Sequence, residues 1–142
     1  MNKFFYLSIT IFIFSCEKKI SNYQSSESHN EGKDCMQCHK RGEDGEGNFK
    51  VAGTVYDTTK TIVYPGATIN LYSEPQGGGE LIKTIEVDKK GNFYTTERVK
   101  FKNDVYPSVV GVAGGEKFMS TPISTGSCNS CHGVSTTRIW VE

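Results

Sequence analysis

Histidine, proline and excess charge are all scarce in this sequence. Its 142 residues include three His and four Pro, and 16 Lys and Arg balance 16 Asp and Glu, which gives a formal net charge of zero. Binding to nucleic-acid phosphates needs a basic excess, so we expect no nucleic-acid partner. With 15 Gly beside so few Pro, the composition favours turns between short strands over a Pro-rich disordered chain.

Long apolar runs are also lacking. The most apolar stretch extends from Phe4 to Phe14 behind the positive Lys3, whereas a helix needs about 20 apolar residues to cross a bilayer. A short apolar stretch after a positive residue is typical of an export signal. The end of this stretch and the two residues after it, Ile13-Phe14-Ser15-Cys16, resemble the lipobox of bacterial lipoproteins. That resemblance implies cleavage after residue 15 and acylation of Cys16; the alternative is a free Cys in an ordinary signal peptide.

Residues 1–15 are thus predicted to be a lipoprotein signal peptide, and residues 16–34 a polar tether. The tether is rich in Ser, Asn and Glu and has no apolar periodicity, so we expect it to be flexible. Each CH2 of an acyl chain buried in lipid contributes about 0.8 kcal/mol, so several chains would hold the protein on a membrane. We therefore expect an exported protein anchored by lipid to a bacterial outer membrane, on its periplasmic face or at the cell surface.

The other four cysteines lie in two short motifs of identical spacing. The first is Cys35-Met36-Gln37-Cys38-His39 and the second is Cys128-Asn129-Ser130-Cys131-His132. Both read C-x-x-C-H, the attachment signature of c-type haem. Two thiols three positions apart can add to the two vinyl groups of one porphyrin, and the following His can then reach the iron from one face. The motifs predict two covalent haems, attached through Cys35, Cys38, Cys128 and Cys131, with His39 and His132 as proximal iron ligands.

The doubled motif resembles c-type cytochromes, and together with the lipobox it resembles a dihaem cytochrome lipoprotein. The resemblance implies electron transfer without enzymatic chemistry, and haem attachment outside the cytoplasm. Expected partners are redox proteins, the membrane through its anchor, and neighbouring copies of the chain whose haems would join into a longer conduit. A haem enzyme or gas sensor, with an open axial site for peroxide or a nitrogen oxide, stays open as an alternative.

Two residues are candidates for the distal position on the iron. His29 is the one His outside the motifs, six residues before Cys35, and is able to serve either haem. Its alternative role is a solvated His in a polar linker. Met119 lies nine residues before Cys128 and is the weaker candidate, because it also fits a core position on a short strand. One haem would then lack a strong sixth ligand, or take one from a neighbouring molecule.

Three interpretations without haem compete with this one. A thioredoxin-type dithiol is disfavoured because no βαβ pattern surrounds either motif. A four-cysteine zinc site is disfavoured because 89 residues separate Cys38 from Cys128, against a usual gap of about 15–20. Structural disulfides suit an exported protein. None of these explains a His after both cysteine pairs, yet an adhesive lipoprotein with zinc or disulfides remains the third class of function.

Residues 49–122, between the motifs, predict a small antiparallel β-sandwich in a mainly β protein. Period-two runs near 49–56, 67–72, 81–87, 93–96 and 105–112 alternate with Gly-containing turns, and no amphipathic helix appears. Residues 53–57, 65–72 and 88–94 are similar to a carboxypeptidase-regulatory-like domain, a seven-stranded prealbumin-like sandwich. The resemblance implies a module without catalytic residues. Residues 35–48 and 123–142 are the two flanking haem-binding segments. We expect Trp140 to close the core; its alternative role is packing on the second haem.

Overall fold

Short strands with alternating apolar residues build this molecule, and turns connect them. The computed structural model describes residues 18–142. The strands are β1 Val51–Tyr56, β2 Thr68–Tyr72, β3 Leu81–Glu86, β4 Asn92–Thr95, β5 Tyr106–Val110, β6 Glu116–Phe118 and β7 Ile139–Trp140. The helical elements are three single 3₁₀ turns, at Cys35–Gln37, Pro75–Gly77 and Cys128–Ser130. Among the described residues no helix is long and apolar enough to cross a membrane.

The strands form two sheets, in the orders β4-β1-β7 and β3-β2-β5-β6. In the larger sheet Ile69 lies opposite Ile85 on one side and opposite Val109 on the other. The smaller sheet adds Val51 and Val55 to the same core, and all five side chains are buried. Complete burial of such a side chain contributes about 1.5–3 kcal/mol, so this layer supplies the driving force for folding. The prediction of a mainly β sandwich is confirmed.

Strand β7 departs from the predicted arrangement in two ways. It runs parallel to β1, with Val55 opposite Ile139, so the sandwich is not wholly antiparallel. It also comes from residues 123–142, which the sequence assigned only to haem binding. Val141, just beyond it, is 1% exposed and fills the core position expected for Trp140, which is half-buried. A two-residue strand carries too little alternation to be recognised from sequence.

The polar segment that was predicted to be a flexible tether packs along the outer edge of β4 instead. Its Ser21 donates its N–H to the Tyr94 carbonyl at 2.9 Å, and the Ser21 hydroxyl oxygen accepts the Tyr94 N–H at 3.0 Å. Ser21 is 2% exposed. An edge strand presents unpaired N–H and C=O groups, and a polar chain can pair with them without any apolar pattern. The predicted signal peptide and the lipidation site Cys16 lie outside the described residues.

Candidate functional site

The two C-x-x-C-H motifs fold into turns of the same backbone geometry. We call them the first turn (residues 35–39) and the second turn (residues 128–132). In the first, the N–H groups of Cys38 and His39 donate to the Cys35 carbonyl at 3.3 and 3.0 Å. In the second, the corresponding groups donate to the Cys128 carbonyl at the same two distances. Two segments far apart along the chain therefore arrive at one local structure.

The thiols repeat in the same way. The first cysteine of each turn is half-buried and the second is exposed, and all four are free rather than joined in disulfides. The Sγ of Cys35 lies 3.6 Å from the Lys33 carbonyl oxygen, two residues before it. The Sγ of Cys128 lies 3.6 Å from the Gly126 carbonyl oxygen, again two residues before it. Among residues 18–142 no three His, Cys, Asp or Glu side chains converge as a metal-ion site.

Each motif His is held by one ring nitrogen. Nδ1 of His39 lies 2.7 Å from the Glu46 carbonyl oxygen, and Nδ1 of His132 lies 2.7 Å from that of Thr137. A carbonyl can only accept, so Nδ1 carries the proton in both rings. The neutral imidazole then has its lone pair on Nε2, the arrangement seen in metal-binding histidines whose other nitrogen is fixed by the protein.

Aromatic stacking fixes the plane of the His39 ring. Phe49 stacks on it with ring centroids 4.3 Å apart and planes 9° apart, and Tyr94 stacks on Phe49 at 4.7 Å and 15°. The loop that carries the Glu46 carbonyl passes very close to this ring. A Cβ at Gly45 would lie 2.6 Å from the Cys38 carbonyl oxygen, so only glycine allows the loop to close. Sequence reasoning missed this loop, which reads only as an acidic, Gly-rich turn.

His29 lies beside the first turn. Its ring centroid is 5.6 Å from that of His39, with the two planes tilted by 44°. The preceding residue, Ser28, fixes the segment to β4 by accepting a 2.9 Å bond from the Asn92 amide. Imidazoles that share one metal ion, at metal–nitrogen bonds of about 2.0–2.1 Å, have centroids roughly 6 Å apart. The structure therefore brings His29 to the first motif and not to the second.

A cavity adjoins each turn. The first, of about 690 Å³, is lined by His29, His39, Phe49 and Tyr94 among others. The second, of about 590 Å³, reaches the core residues of both sheets and is lined by His132, Met119 and Trp140. Both volumes fall within the range of about 300–1,000 Å³ that is usual for small-molecule and cofactor sites. Free paired thiols, an available Nε2 and an adjoining cavity fit the requirements of a covalently attached haem at both turns.

Met119 and Trp140 occupy the wall of the second cavity. Met119 follows β6, is half-buried, and donates its N–H to the Pro107 carbonyl at 2.9 Å. Trp140 lies beneath the Lys117 ammonium, 3.7 Å from its ring centroid. The expectation that Trp140 closes the core is therefore wrong, because Trp140 is half-buried, lines this cavity and lies outside the hydrophobic core. Neither residue has a His neighbour other than His132, since the chain's other two histidines lie together at the first turn.

Asn129 of the second turn and Ser127 just before it bond to the two residues directly before the first turn, beside β1. Asn129 donates from Nδ2 to the Lys33 carbonyl at 3.0 Å, and the Ser127 hydroxyl donates to the Asp34 carboxylate. Asp34 also accepts the Met36 N–H at 3.1 Å and thereby caps the first turn. Sequence reasoning missed these residues, although an Asp directly before a helical turn is a recognisable N-cap signal.

Burial changes the acidity of the two inner thiols. Burial, together with the neighbouring Cys35 and Asp34 charges, raises the pKa of Cys128 to about 12. Burial likewise raises the pKa of Cys35, with Asp34 and Asp88 adding to the effect. Because Cys35 contributes to the raised pKa of Cys128, the two inner cysteines lie near each other, and both thiols are protonated at neutral pH.

The chain was compared with protein-family models, curated protein sequences and solved structures, and none of the three comparisons gives a match. The site is therefore defined by its own geometry: two equivalent turns, each with free thiols, an oriented imidazole and an adjoining cavity.

Proposed function

We propose that this chain is an electron-transfer protein that carries two covalently attached c-type haems, one at each turn. The observation that supports this most strongly is the repetition of the site: both turns share the same backbone bonds, a pair of free thiols, and a 2.7 Å bond from Nδ1 of the motif His. A chance C-x-x-C-H sequence has no reason to place its imidazole in one tautomer beside a cavity, and two such sequences have still less.

The cysteines attach the cofactor without any net redox change. Each thiol would add across one vinyl double bond of a haem: a carbon–sulfur bond would form, the S–H bond would break, and the hydrogen would go to the other vinyl carbon. Cys35 and Cys38 hold one haem in this way, and Cys128 and Cys131 hold the other. A bound haem supplies an iron that alternates between the ferric and ferrous states and so carries one electron.

The remaining residues orient and shield the two centres. His39 and His132 present Nε2 because Glu46 and Thr137 carbonyls hold Nδ1. Phe49 fixes the His39 plane, and His29, whose ring lies 5.6 Å from that of His39, would be the second imidazole to hold the iron of the first centre. The second cavity brings Met119, a thioether ligand, to the side chains around His132. Partners would be redox proteins, and Cys16 would provide a lipid anchor on a bacterial outer membrane.

Paired cysteine variants test this assignment. The chain is produced in a host with a c-type haem maturation system and examined by haem staining of a denaturing gel. We expect wild type to carry two haems, and both Cys35→Ala/Cys38→Ala and Cys128→Ala/Cys131→Ala to carry one. Variants that both retain the full wild-type stain would contradict the assignment, as would a wild-type chain without any.

A second candidate function concerns the second centre alone. Its cavity contains no His besides His132, so a loosely ligated iron there would bind a small gas, peroxide or a nitrogen oxide. Carbon monoxide separates the two functions: a pure carrier leaves it unbound at both ferrous centres, whereas a sensor or enzyme binds it at the second. The third class, an adhesive lipoprotein with zinc or disulfides, is separated from both by the haem stain, because such a protein would carry no haem.

A further inference from the structure

One buried amide joins the two turns. We infer that Asn129 is a positioning residue that locks the first and second turns against each other, so that the two haems of the proposed function exchange electrons as a coupled pair. The inference rests on the proposed function, and goes beyond it by assigning a role to a residue that occupies a variable position of the motif.

Every polar atom of the Asn129 side chain is engaged. Oδ1 accepts the Thr54 N–H at 3.1 Å, while Nδ2 donates to the Lys33 carbonyl at 3.0 Å and to the Thr54 hydroxyl at 3.1 Å. The residue is 3% exposed. Only an amide offers one acceptor and two donors in this shape, since a carboxylate has no donor and a Ser hydroxyl has one. A buried network that is fully satisfied is rigid.

A second connection runs parallel to the first. Ser127 donates to the Asp34 carboxylate, which also accepts the Met36 N–H inside the first turn. The two connections end on Lys33 and Asp34, the residues directly before Cys35. The second turn is therefore tied to the point at which the first turn begins.

Strand β1 is the common support. Ala52 donates its N–H to the Gly126 carbonyl at 2.9 Å, so residues 126–129 occupy the strand edge next to β7. A Cβ at Gly53 would lie 3.0 Å from Cβ of Cys128, and one at Gly126 would lie 1.9 Å from the Lys50 carbonyl oxygen. Both glycines allow direct seating on a strand that is buried along its whole length.

Fixed contact between the attachment turns has two electronic consequences. Electron tunnelling slows steeply with separation, so a rigid clamp sets the rate of internal exchange. Charges interact more strongly in a protein interior than in water, so oxidation of one centre shifts the potential of the other. The spectrum of such a pair of haems therefore differs from the sum of the spectra of the two haems taken singly.

Electron paramagnetic resonance of the fully oxidised holoprotein tests the inference. The reference is the summed spectrum of the two single-haem variants, Cys35→Ala/Cys38→Ala and Cys128→Ala/Cys131→Ala. We expect the wild-type spectrum to differ from this sum through magnetic interaction of the two ferric centres. We expect Asn129→Ala, with both haems confirmed by mass, to move towards the sum, and internal electron exchange after pulsed reduction to slow at least tenfold.

Matched variants separate positioning from general damage. Asn103→Ala makes the same change at an exposed loop position outside both turns and should leave the interaction intact. Ser127→Ala removes only the second connection and should weaken it. A wild-type spectrum equal to the sum would overturn the coupling. An unchanged interaction in Asn129→Ala that carries both haems would overturn the role of Asn129. If Asn129→Ala does not fold, an unchanged interaction in Ser127→Ala would overturn the proposal that hydrogen bonds from Asn129 and Ser127 hold the two turns together. A wild-type chain without haem would instead overturn the proposed function.

Discussion

The imidazole rings of His29 and His39 lie 5.6 Å apart, which places His29 beside the first motif, whereas the sequence left it able to serve either motif. One ring belongs to a motif, and the other to a polar segment held along β4. No further His is left for the second turn, because the chain has three in all. The two centres of the proposed carrier are therefore unequal, and several measurable differences follow.

Replacing His29 should open the first centre. We expect His29→Ala to convert the first haem from six-coordinate, low-spin iron to a form that binds carbon monoxide when reduced, because no other His can take its place. Visible and magnetic circular dichroism spectra of the variant made in the Cys128→Ala/Cys131→Ala background would show the change. Ser26→Ala, an exposed change on the same segment, is the control. An unaltered low-spin spectrum in His29→Ala would exclude His29 as the ligand.

The two haems should differ in reduction potential. A thioether in place of a second imidazole raises the potential of a haem, so the centre at the second turn, beside Met119, should be the higher. Spectroelectrochemical titration of the two single-haem variants measures each potential separately. We expect Met119→Leu to lower the potential or open the site of the second centre and to leave the first unchanged. Equal potentials in the two single-haem proteins would contradict the assignment.

The buried carboxylate of Asp88 should lower the potential of the first haem. Asp88 is fully buried and close enough to raise the pKa of Cys35, and its Oδ2 has no hydrogen-bond partner within the described residues. Its Oδ1 accepts the N–H groups of Lys90 and Asn92, bonds that an Asn side chain can keep. Asp88→Asn should therefore fold and raise the potential, since an electrostatic change of about 1 kcal/mol corresponds to roughly 40 mV for one electron.

Asp57→Asn is the matched control for Asp88→Asn, because Asp57 is a carboxylate in the turn after β1 that bonds to Thr59 and Ile62. It should leave the potential of the first haem unchanged. A fall in that potential in Asp88→Asn, or no change, would show that the Asp88 charge does not act on the iron.

The haem-free protein should show protected inner thiols. Raised pKa values keep Cys35 and Cys128 protonated, and only the thiolate reacts quickly with an alkylating reagent. At pH 8 we expect iodoacetamide to modify the exposed Cys38 and Cys131 at least tenfold faster than Cys35 and Cys128, as measured by peptide mass spectrometry. Faster modification of the inner pair would contradict their burial.

The same raised pKa values give a pH dependence of stability in the haem-free protein. A thiol that is more basic when folded contributes stability that is complete below the unfolded pKa of about 9 and is lost as pH rises towards the folded pKa, about 12 for Cys128. The free energy of unfolding should therefore fall above pH 9, by up to about 1.4 kcal/mol per pH unit for each such thiol. Cys128→Ala should show a shallower slope in denaturant titrations, and an equal slope would argue against a buried thiol.

The parts of this structure that sequence predicts are those with a strong local pattern. The alternation of Ile69 and Leu71 identifies β2, and C-x-x-C-H identifies both turns. Strand β7 was missed because Ile139 and Trp140 are too few to alternate. The docking of residues 18–29 was missed because polar residues that pair with a strand edge leave no apolar period.

The hydrogen bonds by which Asn129 connects the second turn to Lys33 and Thr54 could not be predicted from sequence either. Asn129 stands at a position where the motif accepts any residue, and its partners Thr54 and Lys33 are distant along the chain. Hydrogen bonds between remote segments depend on the tertiary fold, which brings them together only after the sheets have formed. Local sequence patterns identify the individual turns, whereas the contact between them depends on β1, which supports both in the folded protein.

The central claim is the covalent attachment of haem at two places, and intact mass spectrometry under denaturing conditions tests it most directly. The chain is produced with a c-type haem maturation system, purified, unfolded in acid and weighed. We predict a mass that exceeds that of the polypeptide by two haem groups and persists after unfolding. We also predict that none of the four motif cysteines reacts with an alkylating reagent. A polypeptide mass without haem, with those thiols still free to react or bound to zinc, would contradict the account.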